Sequence, residues 1–103
     1  MKRFKDKVAV ITGAANGIGR SLAFRAVHEG MKVVLADIEE QSLTKTGQEL
    51  QAVGRNILTI RTDVSKAMEV EALAQKTLEV FGGVDLLCNM ESILEQKNPP
   101  MFG

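Results

Sequence analysis

The stretch Thr12-Gly13-Ala14-Ala15-Asn16-Gly17-Ile18-Gly19 lies between an apolar run, residues 8–11, and a segment with the apolar spacing of a helix. A glycine-rich turn from a strand into a helix can bind phosphate groups, because its backbone N–H groups point outward where side chains would block an anion. In this pattern Gly13 allows the tight turn, Gly17 lets a pyrophosphate approach the backbone, and Gly19 lets the helix pack on its strand. The stretch therefore predicts a strand–turn–helix unit that binds a phosphate-containing ligand.

An acidic residue narrows the class of ligand. Asp37 closes the next apolar run and follows Gly19 by 18 residues. At that place in a dinucleotide-binding unit, a carboxylate accepts hydrogen bonds from ribose hydroxyls. The glycine pattern and Asp37 together predict a dinucleotide site, which the glycines alone would indicate only weakly.

Composition excludes several other classes of protein. The chain has 103 residues, 45% of them hydrophobic, which suits one small domain. Thirteen basic residues balance thirteen acidic ones, and no run approaches the roughly 20 apolar residues of a membrane-spanning helix, so we expect neither nucleic acid nor membrane as a partner. The single cysteine, Cys88, excludes an internal disulfide and fits the cytoplasm. No grouping of His, Cys or carboxylate residues has metal-ligand spacing, so no metal is expected.

Apolar runs and helical segments alternate along the chain. Strands are predicted at residues 8–11, 33–36, 57–60 and 84–88. Helices are predicted at about residues 17–29 and 39–53, and a third is capped by Ser65 and ends before Gly82. The residues expected to face the core are Ile18, Leu22, Ala26 and Val27 in the first helix, Leu43, Leu50 and Val53 in the second, and Val70, Leu73, Thr77 and Val80 in the third.

This alternation predicts an α/β fold with a doubly wound parallel sheet. In the dinucleotide-binding arrangement the fourth strand lies on the other side of the first, which gives the order 3-2-1-4 with three helices. Ligands bind beyond the carboxyl ends of the strands, where the order reverses. Polar residues come at all four predicted strand ends: Thr12, Asp37, Asp63 and Asn89.

The chain closely resembles the amino-terminal half of the short-chain dehydrogenase/reductases, of the sort that use NAD. The matching pieces are the run 12–19, Asp37, Asp63-Val64 and Val84-Asp-Leu-Leu-Cys-Asn89. The resemblance covers about residues 5–89 and implies a Rossmann-type fold with an NAD site. It divides the chain into an NAD-binding half-domain, residues 1–89, and an irregular tail, residues 90–103.

The resemblance also implies a role for each matching residue. The turn would hold the pyrophosphate, Asp37 would accept from the adenosine ribose hydroxyls, and Asn89 would steady the fourth strand beside the cofactor. Asp63 and the Val64 amide would bind the adenine ring, although Asp63 could instead help to cap the third helix. The residues expected to bind the cofactor are Gly13, Asn16, Gly17, Ile18, Gly19, Asp37, Asp63, Val64 and Asn89.

NAD is expected in preference to NADP. A 2′-phosphate beside the Asp37 carboxylate would be repelled by roughly 1 to 4 kcal/mol. Family members that bind NADP tend to carry Arg or Lys at the positions that Asn16 and Ile38 occupy here.

The residues that catalyse hydride transfer in this family have no counterpart in the chain. The family uses a tyrosine four residues before a lysine, with a serine upstream, to reduce carbonyls or oxidise alcohols. This chain has no tyrosine, and the serine and lysine have no matching positions. The family's Asn-Asn-Ala-Gly is replaced by Asn89-Met90-Glu91-Ser92, which suggests a truncated frame, an alternative end or an incomplete gene model. We expect no catalytic residue here, and a small-molecule substrate only if the missing half is supplied.

Three functional hypotheses stay open on the sequence alone. The chain is the NAD-binding portion of a short-chain oxidoreductase, a non-enzymatic nucleotide-binding module that associates through the exposed edge of its fourth strand, or a truncated product without specific function. A P-loop is disfavoured, because residues 14–21 lack the first glycine and have Arg20 in place of the lysine that the motif requires.

Overall fold

The computed structural model describes residues 4–90, which form a parallel four-stranded sheet with helices on both faces. The strands are β1 (Val8–Thr12), β2 (Lys32–Asp37), β3 (Ile57–Arg61) and β4 (Leu86–Asn89). The helices are α1 (Gly17–His28), α2 (Glu40–Gln51) and α3 (Ala67–Phe81). The strand order is β3-β2-β1-β4 and all three pairings are parallel, which confirms the predicted topology. Of the predicted tail, only Met90 lies within the described residues, and it is buried in the core.

Side chains of the two central strands alternate between two apolar layers. Ile11 and Leu35 face α1 and α2, in a layer that includes Leu43 and Leu50 of α2. Val10, Val34 and Ala36 face the opposite side, where Leu73 of α3 packs on them. Because both faces are covered, these strands read as continuous apolar runs rather than as alternating ones.

The face of α1 that contacts the sheet is made of small residues. Gly19, Ala23 and Ala26 are buried, whereas Ile18 is 61% exposed and Leu22 is 37% exposed. The prediction that Ile18 and Leu22 face the core is therefore wrong. The start of α1 lies very close to the turn that follows β1, since a Cβ atom on Gly19 would come within 2.3 Å of the Gly13 carbonyl oxygen.

The apolar stripes of the other two helices are also narrower than predicted. In α2 the buried residues are Leu43, Thr46, Gly47 and Leu50, and Val53 lies beyond the end of the helix, exposed. In α3 only Leu73 and Thr77 are buried, while Val70 and Val80 are exposed. Each of these helices therefore buries fewer large apolar side chains than the periodicity predicts.

The start of α3 differs from the prediction as well. The residue at the N-cap position is Lys66, and no side chain makes a capping hydrogen bond there. The Ser65 hydroxyl instead donates to Asp63 Oδ1, at 2.6 Å. Glu69, in the first turn of the helix, accepts the Asp63 N–H at 2.8 Å. A side chain of the helix thus bonds the preceding loop, whereas the prediction had a side chain of the loop capping the helix. The helix ends as predicted at Gly82, whose φ of 83° is left-handed.

Strand β4 lies at one edge of the described sheet and begins two residues later than predicted. Its register on β1 is fixed by Asp85, whose Oδ2 accepts the Val8 N–H at 2.8 Å and whose own N–H donates to the Val8 carbonyl at 2.9 Å. Leu86 and Leu87 remain 44% and 64% exposed. Within residues 4–90, no helix has the length and apolar character needed to cross a membrane.

The close contact between Gly19 of α1 and the turn after β1 predicts the effect of Gly19→Ala. Alanine favours helices over glycine by up to about 1 kcal/mol, but forcing a Cβ against a fixed carbonyl costs about 1–3 kcal/mol. We expect the free energy of unfolding, measured by urea denaturation, to fall by about 1–2 kcal/mol. Gly83→Ala is the control, because nothing lies within 4 Å of its Cβ position, and it should change stability by less than about 0.5 kcal/mol. Equal stability of the two variants would contradict the packing described.

Candidate functional site

The turn between β1 and α1 leaves backbone N–H groups at the start of the helix without acceptors. Gly13 and Gly17 have φ values of 66° and 62°, in the left-handed region that favours glycine. The first helical hydrogen bond runs from the Arg20 N–H to the Asn16 carbonyl, at 3.4 Å, and the Asn16 side chain makes no capping bond. The N–H groups of residues 17–19 consequently have no acceptor among the described residues. With the positive end of the helix dipole behind them, they can bind an anion.

The space in front of these N–H groups is open. A Cβ atom on Gly17 would meet no heavy atom within 4 Å, and the Ile18 side chain points to solvent. Gly13 and Gly19 are buried on the inner side of the turn, whereas Asn16 and Gly17 are exposed on its outer side. Gly13 and Gly19 thus have the buried positions expected in a tight turn and at a close helix contact, and the approach of a pyrophosphate at Gly17 stays a prediction.

Asp37, the last residue of β2, joins the turn to the beginning of the next helix. The residue is only 8% exposed; Oδ2 of its carboxylate accepts the Ala15 N–H at 3.0 Å and Oδ1 accepts the Glu39 N–H at 3.0 Å. The backbone adds a parallel link, since the Ala14 N–H donates to the Ala36 carbonyl at 3.3 Å. A side chain at the end of the second strand therefore contacts the glycine-rich turn directly.

A buried threonine supports the same turn from α2. The Thr46 hydroxyl donates to the Ala15 carbonyl at 2.9 Å, so both polar groups of the Ala15 backbone are bonded. Sequence reasoning missed Thr46. The only signal for it in the sequence was its place beside Gly47, within the apolar stripe of α2. At Gly47 the helix comes close to β3, since a Cβ atom on this glycine would lie 2.5 Å from Thr59 Cγ2.

The ends of β1 and β4 are joined by polar side chains. The Thr12 hydroxyl lies 2.9 Å from Asn89 Oδ1 and 3.4 Å from the Cys88 carbonyl, and both oxygens accept from it. Asn89 itself is exposed at the carboxyl edge of the sheet. The predicted residues Thr12 and Asn89 thus lie together, beside the turn that follows β1.

Asp63 and Val64 follow β3, half-buried, at the same edge of the sheet. The preceding residue, Thr62, donates its N–H to the Asp37 carbonyl at 2.9 Å, which links this loop to the end of β2. Asp63 Oδ1 accepts both the N–H and the hydroxyl of Ser65, at 3.0 and 2.6 Å. The Ser65 donors lower the pKa of the Asp63 carboxyl below its usual value. Oδ2 has no hydrogen-bond partner among the described residues.

Charged residues next to the turn are paired with one another. Arg20 donates to Glu49 at 2.8 Å and its guanidinium lies 4.7 Å from the centre of the Phe24 ring. The Arg20 side chain lowers the pKa of the Glu49 carboxyl. The exposed Glu39 carboxylate accepts from the Asn16 side-chain amide at 3.4 Å. Neither Glu39 nor Glu49 was expected at the site, because their contacts depend on how α2 lies against α1.

Comparisons with known proteins agree with this geometry. Residues 7–101 match the family model for short chain dehydrogenases. A CLA biosynthesis dehydrogenase/reductase from Lactiplantibacillus plantarum is 43% identical over 93 residues, which are 90% of this chain and 32% of that protein. The chain spans about a third of the length of the curated relatives that it matches.

Solved structures show the same similarity. A short chain dehydrogenase/reductase from Burkholderia phymatum in complex with NAD superposes with a TM-score of 0.81 at 49% identity, over 84% of this chain and 31% of that one. The actinorhodin polyketide ketoreductase with NADPH superposes with a TM-score of 0.79 at 37% identity, over 82% of this chain and 32% of that one. Structures with this arrangement of strands thus hold cofactors of both kinds.

The contacts of Asp63 predict a measurable titration. Ser65→Ala removes the hydroxyl donor, so the pKa of Asp63, followed by NMR of its carboxyl carbon, should rise towards the usual value of about 3.9. The folded-state pKa of the wild-type group lies below the unfolded one. The associated stabilisation is therefore complete above about pH 4 and is lost as the pH falls through the folded-state value. Ser42→Ala, remote from Asp63, is the control, and an unchanged Asp63 pKa in Ser65→Ala would contradict the assignment.

Proposed function

Because the chain belongs to the short chain dehydrogenase family, we propose that it forms the NAD-binding portion of an oxidoreductase that transfers a hydride between NAD(H) and an alcohol or carbonyl substrate. One observation carries the proposal: unbonded N–H groups at the start of α1 lie beside a turn that the Asp37 carboxylate contacts at 3.0 Å. Pyrophosphate and ribose, which adjoin each other in a dinucleotide, need an anion-binding turn and a hydrogen-bond acceptor side by side.

The residues that would bind NAD lie along the carboxyl edge of the sheet. The turn from Gly13 to Gly19 would hold the pyrophosphate, with Asn16 and the Ile18 N–H near the phosphates and ribose. Open space at Gly17 supports this role, because an anion could reach the backbone without meeting a side chain.

Asp37 would accept hydrogen bonds from the adenosine ribose. Each oxygen of an ionised carboxylate can accept two hydrogen bonds, and each oxygen of Asp37 has one within the described residues. The remaining capacity fits two ribose hydroxyls. The backbone bonds already hold the carboxylate in place, so little side-chain entropy would be lost when the ligand binds.

Asp63 and Val64 would contact the adenine ring, and Asn89 would steady β4 beside the cofactor. Asp63 Oδ2 is available for the adenine amino group, because Ser65 donates only to Oδ1. Asn89 Oδ1 accepts from Thr12, which fixes the side chain at the point where the strand order reverses.

NAD is favoured over NADP by charge. A 2′-phosphate would lie next to the Asp37 carboxylate, where repulsion amounts to roughly 1 to 4 kcal/mol. The positions at which NADP-binding members of the family tend to carry a basic residue are Asn16 and Ile38 in this chain. The fold itself does not decide between the cofactors, since similar structures hold NAD and NADPH.

Catalysis would need groups that these 103 residues do not supply. Bound NAD accepts or donates the hydride, but a positioned acid must still protonate or deprotonate the substrate oxygen. The chain has no tyrosine for that purpose. We therefore assign it cofactor binding and orientation, with a small-molecule substrate only if the missing half is supplied; the single cysteine supports a place in the cytoplasm.

The exposed edge of β4 favours a second candidate function, a nucleotide-binding module that pairs with another chain. Leu86 and Leu87 on this edge strand are 44% and 64% exposed. Strands with unpaired backbone groups and apolar side chains pair readily with further strands.

Calorimetric titration tests the main proposal. We expect NAD to bind at least about tenfold more tightly than NADP. Asp37→Ala should weaken NAD binding by about 1.5–3 kcal/mol, because the ribose loses its acceptor. Glu40→Ala, which removes a neighbouring exposed carboxylate, should leave NAD binding nearly unchanged. Absence of NAD uptake at millimolar concentration by the folded chain would refute the proposal, and equal affinities would refute the preference for NAD.

A further inference from the structure

Glu39 occupies the N-cap position of α2 without capping it. Its backbone is extended, with φ −87° and ψ 96°, and its side chain makes no hydrogen bond to the N–H groups of the helix. Residues at this position usually turn a short polar side chain towards the first turn. The Glu39 carboxylate instead reaches away from α2 to the Asn16 side-chain amide, at 3.4 Å.

This orientation brings two carboxylates to one corner of the glycine-rich turn. Asp37 accepts from the Ala15 N–H, and Glu39 contacts the next residue, Asn16. The two acidic residues are also joined directly, because the Glu39 N–H donates to Asp37 Oδ1 at 3.0 Å. A group bound against Asp37 and Asn16 would therefore face both negative charges.

Two of the three cations near this corner are already paired with carboxylates. Arg20 is paired with Glu49 at 2.8 Å and lies over the Phe24 ring, and Arg61, at the end of β3, lies 3.8 Å from Glu69. Lys45 borders the polar pocket next to Asn16, together with Arg20 and Glu49. Lys45 forms no ion pair within residues 4–90, but the pocket that it borders is not lined by Glu39. The one partner of the Glu39 carboxylate within these residues is the Asn16 amide, so its charge faces this corner without a bonded cation.

Building on the proposed NAD site, we propose that Glu39 is a second specificity residue, which disfavours the 2′-phosphate of NADP independently of Asp37. Asp37 binds the ribose hydroxyls that NAD offers, so it acts on both cofactors. Glu39 is not needed as a ribose acceptor and acts mainly by charge. Its removal should therefore change NADP binding and leave NAD binding almost as it was.

Matched glutamine variants test this separation. Glu39→Gln should tighten NADP binding about three- to tenfold, as expected when one negative charge near, but not in contact with, the 2′-phosphate is removed. It should change NAD binding by less than about twofold. Glu40→Gln removes the same charge one residue later, in the first turn of α2, and should change both affinities by less than about twofold. Both carboxylates lie near the N-terminus of α2, so removing either one changes the interaction with the helix dipole in the same way. Comparing the two variants therefore also controls for changes in helix stability.

Salt and a charge reversal add two further readouts. The increase in NADP affinity that Glu39→Gln produces should become smaller as the salt concentration rises from about 0.02 to 0.5 M, because salt screens exposed charges. Glu39→Lys should tighten NADP further than Glu39→Gln does, with thermal unfolding of both variants confirming that they are folded.

The outcomes distinguish this inference from the proposed function. Unchanged NADP affinity in both Glu39 variants, or an equal gain in Glu40→Gln, would overturn the role of Glu39 while leaving the NAD site intact. If the folded wild-type chain binds neither cofactor, the NAD site itself is refuted and the role of Glu39 falls with it.

Discussion

The hydrogen bonds of the Asp37 carboxylate hold the candidate site together. A carboxylate this deeply buried is unfavourable unless its oxygens are bonded, and here backbone N–H groups of Ala15 and Glu39 supply both bonds. One side chain thereby joins the glycine-rich turn, the end of β2 and the beginning of α2. The group that would recognise the ligand is thus also part of the framework that shapes its site, which is consistent with a pre-formed rather than an adaptable pocket.

The architecture followed from local patterns, because those patterns have strong physical causes. Glycines at left-handed positions such as Gly13 and Gly82 mark the turns, and apolar runs covered on both faces indicate parallel strands. The order β3-β2-β1-β4 is predicted from the known dinucleotide-binding arrangement, in which the fourth strand lies beside the first. Helix faces were less predictable. Periodicity selects the largest apolar side chains, yet the buried face of α1 includes Gly19 and Ala23, and Ile18 points to solvent. The short distance between two backbone segments decides which residues of α1 are buried, and the hydropathy pattern does not indicate that distance.

The site shows the same division between what sequence predicts and what it does not. Parallel strands bring their carboxyl ends to one edge, so the grouping of Thr12, Asp37, Asp63 and Asn89 could be expected. The contacts of Glu39 and Thr46 could not, since they depend on side-chain conformations and on the packing of α2 against the turn. Ser65 illustrates a competition between local bonds: its hydroxyl bonds Asp63, two residues back, in preference to the helix that it precedes.

The central position of β1 has a consequence for biosynthesis. β1 is translated before the other three strands of this sheet, but its bond to Asp85 spans 77 residues. At about 5–20 residues per second, this strand waits on the order of 4–15 s after leaving the ribosome before β4 can cover its second edge. During that interval β1 can pair only with β2 and exposes an apolar strand to other nascent chains. The arrival of β4 therefore sets how long this edge of β1 stays open.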